Sequence, residues 1–295
     1  MSTPEVAPAA IESSGDGAYL HAVRSATGIG VRHDLDASLA YLEQAAQSGH
    51  GKAQIELAAL VGNWRLVREI SSGKGVRKTN WADLRAAIDI EDWLKVPQGQ
   101  ILSTAPRIAT LRGYLSAPIC DWLVRLGTPY LKRAQIFDTE SGHLRDDDTR
   151  DNDAAELEPE RMDTVAGFIR SRIAALANVS VTALEPTQVL RYVVGQQFGA
   201  HVDFLDVTTP AQAVDVRQHG QRAMTVLVYL NDNYDGGDTA FPDLGLSFKG
   251  RKGDALVFWN LTEAGEPDWR TRHVGTAPTR GVKWLLSQWI RIRET

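Results

Sequence analysis

Apolar positions in the N-terminal part of the chain recur at helical spacing. Leu35, Leu39, Leu42, Ala45 and Ala46 lie three and four residues apart, which places them on one face of a helix. Asp34 is the expected N-cap of that helix and Gly49 its expected stop. Ala53, Leu57 and Leu60 begin the next helix, and Gly28 and Gly30 break the chain before the pair. NWRLVREI and NWADLRAAIDIEDWL, within residues 64–95, read as further amphipathic helices with Trp64, Trp81 and Trp93 as packing residues. Residues 1 to about 15 are rich in Ala, Pro, Ser and Glu and read as a disordered leader.

The pattern changes near Leu102. Residues 106–137 read as a short strand, a helix and another strand. An acidic stretch with Asp146, Asp147, Asp148, Asp151 and Asp153 reads as a loop, and residues 159–177 as a helix capped by Pro159. VLRYVV, MTVLVYL, TAFP, ALVFW and VKWLLSQWIRI follow as short strand-like runs separated by Gly, Asp and Asn. Such runs predict a β-sandwich or barrel. The expected class is α+β: a leader over 1–15, a helical region over 16–101 and a β-rich domain over 102–295.

Composition narrows the function classes. Of 295 residues 43% are hydrophobic and 23% charged, as in an ordinary soluble globular protein. A net charge of −5 gives no basic surface, so no nucleic-acid partner is expected. The basic run Lys74, Arg77 and Lys78 reads as a solvated turn. A single cysteine, Cys120, excludes an internal disulfide. The first residues lack the basic and apolar segments of a signal peptide, and no run of 18 apolar residues occurs, so no membrane span is expected. The expected setting is reducing and cytoplasmic, which suits a metal that must stay ferrous.

His201 and Asp203 form a His-x-Asp pair, and residues two apart in extended chain point the same way. Alone the tripeptide is a weak signal. With a third ligand, two histidines and one carboxylate hold a metal and leave coordination positions open, as suits O2-activating non-haem iron. His273, just before a strand-like segment, is the candidate third ligand. Ten residues on, Lys283 lies in an apolar run, where a lone charge is costly to bury and needs an anionic partner. Lys283, Leu285, Ser287 and Trp289 share one face by alternation, and a dicarboxylate cosubstrate would supply that partner.

Four blocks, RYVVGQQFGAHVD (191–203), RAMTVLVYLNDNYDGGDTAFP (222–242), KGDALVFWN (252–260) and RHVGTAPTRGVKWLLSQWI (272–290), together resemble the prolyl 4-hydroxylase branch of the 2-oxoglutarate oxygenases. The resemblance implies a double-stranded β-helix, or jelly roll, over 102–295. It implies Fe(II) on His201, Asp203 and His273, and Lys283 on the distal carboxylate of 2-oxoglutarate. Tyr192 would hydrogen-bond the same carboxylate, and Thr225 and Tyr229 would face the cosubstrate. The implied reaction couples decarboxylation of 2-oxoglutarate by O2 to hydroxylation of a C–H bond, with ascorbate as a candidate further reductant. Asp203 favours hydroxylation over halogenation, because the related halogenases carry a small residue at that position.

GIGVRHDLDASLAYLEQAAQSGHGKAQIELA, residues 28–58, resembles a Sel1-like repeat, a relative of the tetratricopeptide hairpin. That implies a docking module and a peptide or protein substrate. The competing expectations are the same chemistry on a free amino acid or small metabolite, and a non-catalytic interaction scaffold. Residues 138–158 are a candidate lid, whose carboxylates would favour a cationic substrate. Gly236, Gly237 and Gly253 are expected in turns that need unusual backbone angles.

Overall fold

The computed structural model describes residues 15–73, 79–137, 144–145, 147 and 149–292. Lys74, Arg77, Lys78, Asp146, Asp148, nearly all of the expected leader and much of the candidate lid lie outside the described residues. Contacts divide the chain into two units: 1–95 with 159–182, and 96–158 with 183–295. The sequence drew its boundary at 101/102, whereas the contacts group the helix Thr164–Ala177 with the first unit.

In the first unit, helices Gly15–Thr27, Leu35–Gln47, Gly51–Leu60 and Trp64–Ser71 pack in succession. Asp34 caps the second as expected, its carboxylate accepting from the Ala37 amide at 2.9 Å, and Gly49 ends it at φ +85°. Leu39, Leu42, Ala45 and Ala46 form its buried face. Helix Thr164–Ala177 packs on Gly15–Thr27. Gly167 makes that approach possible, since a Cβ there would lie 2.6 Å from the Ala26 Cβ. The N-cap of this helix is Asp163, accepting from the Ala166 amide at 2.7 Å; Pro159 instead opens a separate 3-10 turn, Pro159–Arg161.

Glu56, 3% exposed, reaches the start of the same helix. It accepts from the Thr164 amide at 2.9 Å and from the Tyr19 hydroxyl at 2.6 Å. Burial, with Asp163 nearby, pushes its pKa up to about 8.

The described strands of the second unit are, in chain order, β1 (Gly99–Thr104), β2 (Arg107–Leu111), β3 (Lys132–Arg133), β4 (Ile136–Phe137), β5 (Leu144–Arg145), β6 (Asp153–Leu157), β7 (Thr187–Tyr192), β8 (Phe198–His201), β9 (Gln221–Tyr229), β10 (Asp235–Gly236), β11 (Thr239–Phe241), β12 (Leu246–Phe248), β13 (Ala255–Trp259), β14 (His273–Gly275), β15 (Pro278–Arg280) and β16 (Lys283–Ile292). An eight-stranded antiparallel sheet runs β1-β2-β13-β9-β16-β7-β6-β3, and a four-stranded one runs β12-β11-β14-β8. Leu190, Leu227, Tyr229, Phe258 and Leu285 from the large sheet form one core with Phe241 from the small sheet, as in a jelly roll.

Two features departed from simple alternation. MTVLVYL is apolar on both faces of β9 because both are buried. The outer face of the large sheet carries the helix Ala117–Gly127, and a Cβ on Gly127 would lie 2.7 Å from the Val189 Cβ. The acidic stretch is not loop throughout. Asp153 opens β6 opposite Arg191, and its carboxylate accepts from that guanidinium at 2.7 Å. Gly237 and Gly253 adopt φ +70° and +91° as expected, and a Cβ on Gly253 would lie 2.1 Å from the Leu115 carbonyl oxygen.

Candidate active site

Antiparallel pairing of β8 with β14 sets His201 directly opposite His273, with ring centroids 4.2 Å apart. Asp203 follows His201 as the chain leaves β8, and its carboxylate lies between the imidazoles. Oδ1 is 3.6 Å from Nε2 of His201, and Oδ2 is 3.8 Å from Nε2 of His273. The three donor atoms fall within 4.8 Å of one another. Nδ1 of His201 bonds the Gly199 carbonyl at 2.8 Å, and Nδ1 of His273 bonds the Thr271 carbonyl at 3.0 Å. A carbonyl oxygen can only accept, so each Nδ1 carries the hydrogen and each Nε2 presents a lone pair.

The protonation states suit metal ligation. Burial, helped by the neighbouring His273, pushes the His201 pKa down to about 3, so its imidazole is neutral. Burial alone would raise the Asp203 pKa, but the two imidazoles and the Thr225 hydroxyl outweigh it and hold it below the usual carboxylate range. Two imidazoles, each with Nδ1 committed to a carbonyl, and one carboxylate fit a divalent first-row metal with positions to spare.

Residues around the triad fix its orientation. Phe198 stacks on His201 at 3.5 Å between centroids, and Phe258 meets His273 edge-on at 4.8 Å. The Asn260 amide donates to the Thr225 hydroxyl at 3.0 Å, which donates to Oδ2 of Asp203 at 2.6 Å. Thr225 was expected to face the cosubstrate; in the structure its hydroxyl donates to the Asp203 carboxylate.

Lys283 sits opposite Tyr192 in the register of β16 with β7. It is fully buried, and its Nζ makes no hydrogen bond among the described residues. Aromatic faces attend it, with Nζ 5.0 Å from the Tyr192 ring centroid and 5.8 Å from that of Tyr229. Burial lowers its pKa to about 7, partly opposed by the charge of Asp238. A buried ammonium without an acceptor is costly, and a carboxylate brought by a ligand would relieve it.

A narrow cavity joins Lys283 to the triad. Leu285, Ser287 and Trp289 line it together with Lys283, as the alternation along β16 predicts. Tyr192 also lines it, and burial pushes its hydroxyl up to about 12, so it remains a neutral donor. Tyr229 differs from expectation. Its hydroxyl bonds Thr239 Oγ1 at 2.9 Å and the Phe248 carbonyl at 3.0 Å, so it is engaged by neighbouring groups of the fold.

Three polar lining residues had not been singled out: Arg150, Gln188 and Thr239. Gln188 was within reach of alternation, two and four residues before Leu190 and Tyr192 on β7. Arg150 carried no spacing signal. The cavity continues into a wider groove bordered by Lys132, Arg133, Glu156, Asp215, Arg222 and Trp289. There Arg222 lies over the Trp289 ring at 3.7 Å and donates two hydrogen bonds to Glu185, at 2.6 and 2.8 Å.

Residues 187–291, which contain the triad and Lys283, match the family model described as the 2OG-Fe(II) oxygenase superfamily. The chain is 30% identical to the probable prolyl 4-hydroxylase 10 of Arabidopsis thaliana, over 66% of this chain and 72% of that one. It is also 30% identical to prolyl 4-hydroxylase 1 of the same plant, over 75% of this chain and 84% of that one. Among solved structures it is similar to the viral collagen prolyl hydroxylase of Paramecium Bursaria Chlorella virus-1, at 24% identity and a TM-score of 0.47, covering 62% of this chain and 95% of that one.

Proposed function

The chain belongs to the prolyl 4-hydroxylase-like 2OG-Fe(II) oxygenases, and from that premise we propose that it hydroxylates prolyl residues of a peptide or protein. The family uses Fe(II), 2-oxoglutarate and O2. The observation that carries the reading is the convergence of His201, Asp203 and His273, with both Nδ1 atoms tied to carbonyls, one cavity away from the unsatisfied Lys283.

In this reading His201, Asp203 and His273 would hold the iron through two Nε2 atoms and one carboxylate. When bound, iron with 2-oxoglutarate and O2 supplies the oxidising power: the cosubstrate becomes succinate and CO2, and one oxygen atom enters a C–H bond. The chain's own residues bind and orient. Lys283 would pair with the distal carboxylate, and Tyr192, a neutral phenol beside it, would donate to the same group. Thr225, held by Asn260, would keep Asp203 in its ligating rotamer. Phe198 and Phe258 would keep the imidazole planes from turning and exclude water from that side.

Several finer points belong to the same proposal. The Sel1-like character of 28–58 and a substrate-docking role for the helical unit are supported by its successive packed helices. A reducing, cytoplasmic setting is supported by the single, buried, free Cys120. Ascorbate as a reductant is supported by the chemistry of keeping iron ferrous.

The test is an anaerobic titration of the metal-free protein with Fe(II) and 2-oxoglutarate, following the visible charge-transfer band of a chelated 2-oxo acid. The band is expected in the wild type and lost in His201→Ala. Lys283→Ala should need more cosubstrate to reach it. A folded wild-type protein that gives no band would leave the chain a binding scaffold.

A further inference from the structure

Arg150 is 8% exposed and lines both the triad cavity and the wider groove. A guanidinium has five N–H donors in a rigid fork. This one gives Nη1 to the Gln135 carbonyl and Nη2 to Oε1 of Gln188, each at 3.3 Å, and its buried Nε has no acceptor. Both acceptors are neutral and both bonds are long. Its neighbours are treated differently. Arg191 holds Asp153 at 2.7 Å, Arg222 holds Glu185 at 2.6 Å, and Arg291 holds Asp215 at 2.8 Å. No carboxylate comes within ion-pair distance of Arg150 among the described residues.

Its placement is fixed and close to the reacting centre. The guanidinium lies 4.5 Å from the centroid of Phe198, the ring that stacks on His201. The Gln188 amide is itself held, its Nε2 donating to Glu156 at 3.1 Å, so its oxygen stays turned to Arg150. Charge then decides what the fork awaits. Asp203, a ferrous ion, dianionic 2-oxoglutarate and Lys283 together are neutral. Arg150 adds one buried positive charge that no carboxylate of the described residues contacts directly, Glu156 being held behind the Gln188 amide, and a buried charge without a contacting counter-charge is disfavoured.

We infer that Arg150 receives a carboxylate of the substrate, placing that anionic group beside the C–H bond to be hydroxylated. The inference rests on the function proposed above and narrows its substrate class. The carboxylate comes either from the chain terminus of a prolyl peptide or from an Asp or Glu side chain next to the proline. It also reverses the preference drawn from the acidic segment 138–158. The residue of that segment that lines the cavity is an arginine, so an anionic substrate is favoured where a cationic one was expected.

Binding without turnover tests this. Full-length protein holding Fe(II) and 2-oxoglutarate under anaerobic conditions is titrated by calorimetry with four peptides. Two are Ala-Ala-Pro as free acid and as C-terminal amide. Two are acetylated and amidated at the ends, Ala-Pro-Glu-Ala and Ala-Pro-Gln-Ala. In at least one pair the carboxylate member should bind roughly tenfold to a hundredfold tighter, the range of a charge-assisted hydrogen bond. The pair that discriminates identifies the source of the carboxylate. Arg150→Gln should abolish the discrimination, and Arg150→Lys, which keeps the charge but loses the fork, should retain part of it; the second variant serves if the first does not fold.

Equal binding within both pairs, including no binding by any peptide, overturns the assignment. So does discrimination that survives in Arg150→Gln. If that variant instead raises only the 2-oxoglutarate needed for the charge-transfer band, the guanidinium serves the cosubstrate and the inference fails. Absence of the band in the wild type defeats the proposed function. The same four titrations on the metal-free chain then still decide whether Arg150 binds a carboxylate.

Discussion

The two units each bury an ionisable group, and they treat it in opposite ways. Glu56 in the helical unit is met by the Thr164 amide and the Tyr19 hydroxyl. Lys283 in the β-rich unit is equally buried and met by no hydrogen-bonding group among the described residues. A buried polar group whose partners belong to the fold is part of the fold. One whose partner is missing costs stability until a ligand brings it. The contrast separates a carboxyl satisfied by the fold from the ammonium that the proposed function pairs with a ligand.

Opposite substitutions should break the two groups apart. Glu56→Ala removes an acceptor from a buried helix start and leaves the Tyr19 hydroxyl and Thr164 amide unpaired. A loss of about 2–4 kcal/mol in unfolding free energy is expected from denaturant melts. The affinity for 2-oxoglutarate, measured on protein still folded, should be unchanged. Lys283→Met should do the reverse. It relieves an unpaired buried charge, so the ligand-free protein should melt at a higher temperature, while cosubstrate binding weakens roughly tenfold to a hundredfold. If Lys283→Met lowers the melting temperature and spares binding, Lys283 is structural and the contrast collapses.

A smaller effect is expected behind the metal ligands. Thr225→Val keeps the shape and removes the donor to Asp203, so iron affinity should fall about 10- to 100-fold, with the cosubstrate requirement at saturating iron little changed. Measuring the two constants separately decides between the role seen here and the direct cosubstrate contact expected from the sequence.

The pH profiles sharpen the same comparison. Lys283 has its folded pKa lowered to about 7 from 10.5. Cosubstrate binding needs the ammonium, so affinity should hold below about pH 7 and fall by up to about tenfold per pH unit above it. Stability of the ligand-free protein moves the other way. Between about 7 and 10.5 the unfolded chain holds a proton that the folded one has released, so the Lys283 contribution rises with pH. Glu56 has its folded pKa raised from 4.5 to about 8, so its contribution is fully present below 4.5 and is lost as pH rises towards 8. Glu56→Gln should flatten that decline in melts across this range while leaving the cosubstrate profile in place. A decline unchanged in the glutamine variant would assign it to another group.

Local features of this chain were legible because they obey short-range rules. Asp34 and Gly49 bound a helix through cap geometry that involves only neighbouring residues. His201 and Asp203 could be paired by two-residue spacing, and the face Lys283, Leu285, Ser287 and Trp289 by the pleat of one strand. His273 was found through its place before a strand, and the four-block resemblance made the set specific.

What the sequence could not decide depended on partners distant along the chain. Helix Thr164–Ala177 follows the first strands of the β-rich unit, yet it packs on Gly15–Thr27 because Gly167 admits Ala26. Alternation correctly put Thr225 and Tyr229 on one side of β9, but whether a hydroxyl serves a ligand or a neighbour is a matter of distance. Asp203 took the first, and Thr239 and Phe248 took the second. Arg150 belongs to a stretch whose composition is acidic, and only its packing against Phe198 and Gln188 sets a cation from that stretch on the cavity wall. Residue type and spacing determined which chemistry this protein carries. Tertiary structure decided which polar groups are already satisfied, because satisfaction depends on atoms hundreds of bonds apart meeting within about 3 Å.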